Sequence, residues 1–327
     1  MTTVSEPRIV PVPRAQLGEG PRWDERTGTL LWVDIPAGRV HRLDPADDSH
    51  DTIDVGMPVG VAVPRARGGL ALAVRDGFAV LPESAWTASS TGSAGGDAVR
   101  EPAAAREPSG NGPVPGGGLG LELIAPVTAA ERPGNRMNDG ACDRAGRFFA
   151  GTKAEDDTPG AGALYRLGQD GHCERVLTDV TISNGIAWSP DERLLYYVDT
   201  PTGRVDVFDY DPAQGLLGNR RVFAEILRGL PDGITVDTLG HVWVALWGGG
   251  AVLRLRPGGG LDLTVEIPAT NVTSCAFGGP DLDVLYVTTA WDGATGGELL
   301  RCRTSVTGLP ANPYREHSLS SRPPVSP

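Results

Sequence analysis

The chain has 327 residues and carries 29 Lys and Arg against 41 Asp and Glu, a net charge of −12. Its 45 glycines and 28 prolines are about 22 % of the sequence, roughly twice ordinary usage, which excludes long helices and coiled coils. No apolar run approaches the roughly 18 residues that cross a bilayer, and an acidic surface without a basic stripe repels nucleic-acid phosphate, so neither membrane nor nucleic acid is an expected partner. The N-terminus, Met1-Thr-Thr-Val-Ser-Glu-Pro7, has no basic segment followed by an apolar stretch, so no signal peptide is expected. Cys142, Cys173, Cys275 and Cys302 are scattered without a CxxC pair, which reads as four free thiols in a cytoplasmic protein.

One pattern recurs along the chain: a turn, a short β-rich run, a second turn, then a strand of the type Gly-x-Val/Leu-x-Arg-Leu. In order, the paired runs are 29–34 with 38–45, 69–74 with 77–81, 147–152 with 162–167, 193–199 with 203–212, 241–246 with 250–257, and 283–288 with 297–302. Taking Leu31, Ala71, Phe148, Leu195, Trp243 and Leu285 as equivalent centres, the gaps are 40, 77, 47, 48 and 42 residues. The long gap contains 87–118, a stretch of Ser, Gly, Ala, Pro and charge with too little apolar content to pack, which reads as a disordered insertion. Without it the period is that of propeller blades, each a four-stranded antiparallel sheet. The best helical candidate, 222–227, is short enough to be a strand. The expected fold is all-β: a single six-bladed β-propeller over 14–303, followed by a tail at 304–327.

The innermost strand of each blade lines the central channel, so equivalent positions of the repeat can converge. Twelve residues before Leu31 is Glu19, ten before Phe148 is Asn138, eleven before Leu195 is Asn184 and eleven before Trp243 is Asp232. The equivalent region of the second repeat, Pro58-Val-Gly60, carries no ligand, and that of the sixth falls on Ser274. Each of the four acids and amides is followed directly or within two residues by Gly. Asn-Gly and Asp-Gly are also common tight-turn dipeptides, but turns alone need not align across repeats. Carboxylates mixed with amide carbonyls suit one hard divalent cation, Ca²⁺ or Mg²⁺, and would also hold Zn²⁺ or Mn²⁺.

Four separated motifs, Gly18-Glu-Gly-Pro-Arg-Trp23, Arg136-Met-Asn-Asp-Gly140, Ser183-Asn-Gly-Ile-Ala-Trp-Ser189 and Pro231-Asp-Gly-Ile-Thr-Val-Asp237, resemble the senescence marker protein 30/gluconolactonase family, also called the regucalcin family. The resemblance implies a propeller with one divalent metal in its channel and hydrolysis of sugar lactones. It assigns Glu19, Asn184 and Asp232 to the metal and Arg136 and Asn138 to the substrate. The 87–118 insertion departs from the family pattern and leaves open what caps the channel mouth.

Other chemistries find little support. There is no G-x-S-x-G elbow and no HExxH, and the five histidines fall on outer-strand, turn or tail positions, as solvated or satisfied side chains would. Trp23, Trp32, Trp188 and Trp243 recur at blade positions and are expected to pack between blades. Lys153, the single lysine, is expected on a loop without a catalytic role. The expected activity is metal-assisted opening of a small sugar lactone. Asp232 would accept a proton from the attacking water, and Arg136 and Asn138 would hold sugar hydroxyls. The alternative is a calcium-binding regulatory propeller without catalysis.

Overall fold

A computed structural model describes residues 2–89 and 119–317. It consists of six four-stranded antiparallel sheets arranged as the blades of a propeller. The inner strands, in blade order, are Gly18–Asp24, Val59–Pro64, Asn135–Cys142, Ser183–Trp188, Leu230–Val236 and Asn271–Gly278. Each contacts the next, and the sixth contacts the first, so the ring is closed around a channel. The first five blades are runs of four consecutive strands. The sixth takes its outermost strand from the N-terminus, with Arg8–Ile9 pairing antiparallel to Leu300–Arg303. This seam joins the two ends of the barrel of blades by hydrogen bonds. It draws on residues upstream of Arg14, and the tail is fixed as far as Tyr314, which is fully buried.

Blade strands such as Thr29–Asp34 and Leu70–Val74 are buried at every position, because each sheet is sandwiched between two others. Aromatic side chains fill these inter-blade layers. Trp188 meets Phe149 of blade 3 edge-on, Trp243 meets Phe277 of blade 6 in the same way, and Trp23 and Trp32 share a core with Tyr286 of blade 6. Trp32 also stacks on His41 within its own blade. The run at 222–225 is strand, the end of Leu216–Glu225. All four cysteines are free thiols.

The inner strands begin at what we call the upper rim and end at the lower rim. Residues 309–312 of the tail cross the lower end of the channel, lining a cavity of about 190 Å³ with Trp188, Phe277 and Arg22. The insertion expected at 87–118 lies outside the described residues from 90 onward; its first residues close a short helix, Ser84–Ser89. Residues 318–327 of the expected tail also lie outside the described residues.

Candidate functional site

All six inner strands break their pairing at the same level. The register shifts between Glu19 and Arg22, Val59 and Val61, Met137 and Gly140, Ser183 and Ile186, Pro231 and Ile234, and Val272 and Ser274. Such a bulge re-aims side chains that would otherwise alternate between faces. The glycines explain why the chain can do this here. A Cβ on Gly185 would lie 2.6 Å from the Asp232 carbonyl, and one on Gly60 2.0 Å from that of Asn138. Neither Gly185 nor Gly233 has a positive φ. The Asn184-Gly and Asp232-Gly pairs are therefore close-approach positions that let neighbouring bulges crowd the channel, not tight turns.

The bulges bring Glu19, Asn184 and Asp232 together below the upper rim, all almost fully buried. Burial drives the Glu19 carboxyl well above the usual range, and the charges of Asp232 and Asp139 push it further. Asp232 is raised in the same way, by burial and by Asp139, against hydrogen bonds from Asn184, Glu19 and the Gly233 N–H. Asn184 donates its Nδ2 to Thr200 Oγ1 at 3.0 Å, which turns its oxygen free. Asn184 Oδ1 and Asp232 Oδ1 are both buried and accept no hydrogen bond. Buried oxygens left without a donor are costly. A cation is what would satisfy both at once, and two carboxylates with an amide oxygen suit a hard divalent ion. Among the described residues no three His, Cys, Asp or Glu side chains are placed to hold an ion, so such a site needs the Asn184 amide as well.

Asn138 shares the register but differs in its bonding. Its Oδ1 accepts from Arg136 Nη1 at 2.8 Å and its Nδ2 donates to the Ser183 carbonyl at 2.9 Å. Both ends of the amide are used, so it is Asn184 whose oxygen is free for an ion. Arg136 also reaches Glu155, with Nε 3.2 Å from Oε1, and burial lowers the guanidinium from its ordinary value.

Asp139 was not among the expected site residues, yet it is 3 % exposed and its charge acts on both Glu19 and Asp232. Its own carboxyl is raised by burial, against Arg22, whose Nη2 lies 3.9 Å away and donates to the Gly140 carbonyl at 2.6 Å. One residue per repeat cannot find it. On a regular strand Asp139 would face away from Asn138, and only the bulge, in which both oppose the single Gly151, brings it in. Lys153 is another difference: it stands on the strand Phe148–Ala154, not on a loop.

A closed six-bladed propeller with acids and amides converging from separate blades on the upper channel defines the class of this protein. Residues 17–291 match the model of the SMP-30/gluconolactonase/LRE-like region, and the chain belongs to that family. It is 35 % identical to regucalcin of Bos taurus over 315 residues, covering 91 % of this chain and 94 % of the relative. Among solved structures it resembles the calcium-binding protein regucalcin from Agrobacterium tumefaciens, with a TM-score of 0.79 and 27 % identity over 94 % of this chain and 97 % of the other. A luciferin-regenerating enzyme is similarly close, with a TM-score of 0.78 and 29 % identity over 96 % of this chain and all of the other.

Proposed function

We propose that this protein is a metal-dependent hydrolase that opens a sugar lactone. The observation that carries the reading is the pair of unsatisfied buried oxygens, Asn184 Oδ1 and Asp232 Oδ1, set beside the polar pair Arg136–Asn138. The family's gluconolactonase members support the choice of substrate class.

Glu19, Asn184 and Asp232 would hold one divalent cation, with Ca²⁺ favoured by the all-oxygen donor set. When bound, the cation would polarise the lactone carbonyl toward attack by water. Asp232 has a second carboxylate oxygen, which takes the proton of the attacking water. Arg136 and Asn138 orient the sugar through hydrogen bonds to its hydroxyls; their mutual bond at 2.8 Å fixes both side chains before substrate arrives. Asp139 would add negative charge to the set that holds the cation, and its contact with Arg22 positions it.

Regulation by calcium binding alone is the second reading, favoured by the similarity to proteins named regucalcin. The Arg136–Asn138 pair separates the two, since metal binding alone would not need it. Exhaustive chelation should abolish hydrolysis of aldonolactones, read with a pH indicator, and one divalent ion per chain should restore it. Arg136→Ala should lower kcat/KM by roughly 10- to 150-fold, the cost of a hydrogen bond from a charged donor, while calorimetry shows metal affinity close to wild type. Full activity in protein shown metal-free by elemental analysis would rule the hydrolase mechanism out. Loss of metal in the Arg136 variant would assign that residue to the ion and remove the case for a sugar pocket.

A further inference from the structure

Lys153 stands directly across from Arg136 on the neighbouring strand of blade 3. It is the one lysine in a chain where Lys and Arg total 29. Directly opposed residues of an antiparallel pair put their side chains on the same face of the sheet. The ammonium and the guanidinium therefore rise on one side, at the rim where the inner strands begin. Lys153 also bridges through its backbone to Ile182, the residue before the strand that carries Asn184. This places its backbone at the seam between blades 3 and 4, on the rim where the strand carrying Asn184 begins.

The pairing of these two cations is uneven. The Lys153 side chain is 13 % exposed and pairs with Asp157, which is 57 % exposed; the Arg136 side chain is 8 % exposed and pairs with Glu155, which is 58 % exposed. Two largely buried positive groups are thus matched with carboxylates that stand in water. The carboxylate of each pair keeps its solvation, so a ligand anion that is itself desolvated on binding can compete for the buried cation. The nearby Asp156 is engaged elsewhere, by Arg132 at 3.0 Å. A lysine at this point supplies a compact charge with three rotatable donors, where an arginine would present a rigid planar fork.

We propose that Lys153 is a specificity-determining residue which, with Arg136, receives an acidic group on the substrate, so that the preferred lactone carries a carboxylate or a phosphate and is not a neutral aldonolactone. This rests on the lactone-hydrolase reading for the name of the substrate, but binding tests it apart from turnover. The probes are gluconolactam, a non-hydrolysable neutral stand-in, and its 6-carboxylate and 6-phosphate forms, titrated by calorimetry into the full-length protein loaded with Ca²⁺. Wild type should bind at least one acidic lactam about 10-fold or more tighter than the neutral one, as expected for a charge-assisted hydrogen bond. Whichever acidic form binds tighter identifies the group. Lys153→Met should bring that preference to within about threefold and leave the neutral affinity unchanged, which also shows that the variant is folded; Lys153→Arg should keep much of it. The preference should narrow as salt is raised. Equal affinity of wild type for all three lactams, binding of neither acidic form, or an equal loss of all three in the Met variant would overturn the proposal. Lys153-dependent lactam binding without hydrolysis of any lactone would uphold it and overturn the lactonase reading instead.

Discussion

Asp232 and Asp237 lie on one stretch of blade 5, five residues apart, at 4 % and 0 % exposure. Their surroundings are opposites. Asp237, at the lower rim, accepts from Trp243 Nε1 at 3.0 Å, from Arg254 Nε at 2.8 Å, and from the backbone N–H groups of Leu239 and His241 at 3.0 Å each. Asp232, at the upper rim, has an oxygen with no donor and two carboxylates for neighbours. Blade 3 repeats the contrast. Asp143 takes Arg147 Nε at 2.6 Å and the Tyr210 hydroxyl at 2.5 Å, while Asp139 above it crowds Glu19 and Asp232. Burial is common to all four acids. The lower acids have their counter-charge in direct contact, whereas Asp139 has only Arg22 at 3.9 Å and Asp232 faces two carboxylates.

The most direct way to break this comparison is to neutralise one acid at each rim. Asp232→Asn should lose the metal and, with it, activity by on the order of 10³-fold, the several kcal/mol a bound cation supplies to the transition state. The metal-free variant should be as stable as metal-free wild type or more so, because a neutral amide of the same shape replaces a buried acid crowded by two others. Asp237→Ala should do the reverse. It removes the acceptor of Trp243 Nε1 and leaves the buried Arg254 guanidinium only Asp262 as counter-charge, and should cost about 3–5 kcal/mol in urea unfolding, with metal affinity of the folded protein intact. A metal-free Asp232→Asn protein that unfolds as easily as the Asp237 variant would show that the upper acids are structural after all.

The same contrast explains how far the amino-acid pattern could be read. The blade number follows from repeat spacing because each blade needs the same four strands, and Glu19, Asn138, Asn184 and Asp232 stand out because equivalent positions of a closed ring converge, while their division between metal and substrate comes from the family resemblance. Asp139 and the pairing of Asn138 were hidden, because they depend on bulges that a period-two pattern does not encode. The closing strand Arg8–Ile9 was hidden as well: two exposed residues carry no burial signal, and their strand identity comes entirely from pairing with Leu300–Arg303. The glycines after Asn184 and Asp232 were visible, but their reason was not. A turn and a close approach look alike until the neighbouring blade is in place.

Falling and rising pH should act on different regions. For Glu19 and Asp232 the native carboxyls are raised, so the folded metal-free protein keeps protons that the unfolded chain releases. Their contribution is present below the ordinary carboxylate range and is lost as pH rises through the raised native values. Metal-free protein should therefore lose stability as pH rises above the ordinary carboxylate range, and Ca²⁺ should flatten that loss. His41 has the opposite sign. Buried against Trp32 and His50, it is pulled down to about 3 by burial first and then by the charges of His50 and Arg39. Its contribution is complete above the ordinary histidine value near 6.5 and is lost as pH falls toward 3, by at most about 1.4 kcal/mol per pH unit. His41→Gln should remove that acid slope without touching the one set by the carboxyls. Urea unfolding across pH, with and without Ca²⁺, reads both slopes, and identical slopes in wild type and the Gln variant would remove His41 from the account.

The smallest effect is expected from the largest deletion. The residues flanking 90–118 sit at the lower rim: Glu83 accepts from the Gly69 N–H at 2.8 Å and pairs with Arg26 at 2.9 Å, both in turns at the far ends of inner strands. The returning chain meets the departing one there, since a Cβ on Gly120 would lie 3.1 Å from the Pro82 ring. The chain leading into the helix Ser84–Ser89 and the chain returning at Gly120 are thus in contact, on the face opposite Glu19 and Asp232. Replacing 90–118 with a Gly-Ser linker of about eight residues should change stability by only about 1 kcal/mol, because closure entropy varies with the logarithm of loop length. Lactone turnover and metal affinity should both stay at wild-type values. Thermal melts and kinetics on the shortened chain separate the outcomes. A fall in stability of several kcal/mol would make the segment part of the core, whereas a fall in kcat/KM with an unchanged melt would mean that the lower rim speaks to the upper one, and the independence of the two regions would fail.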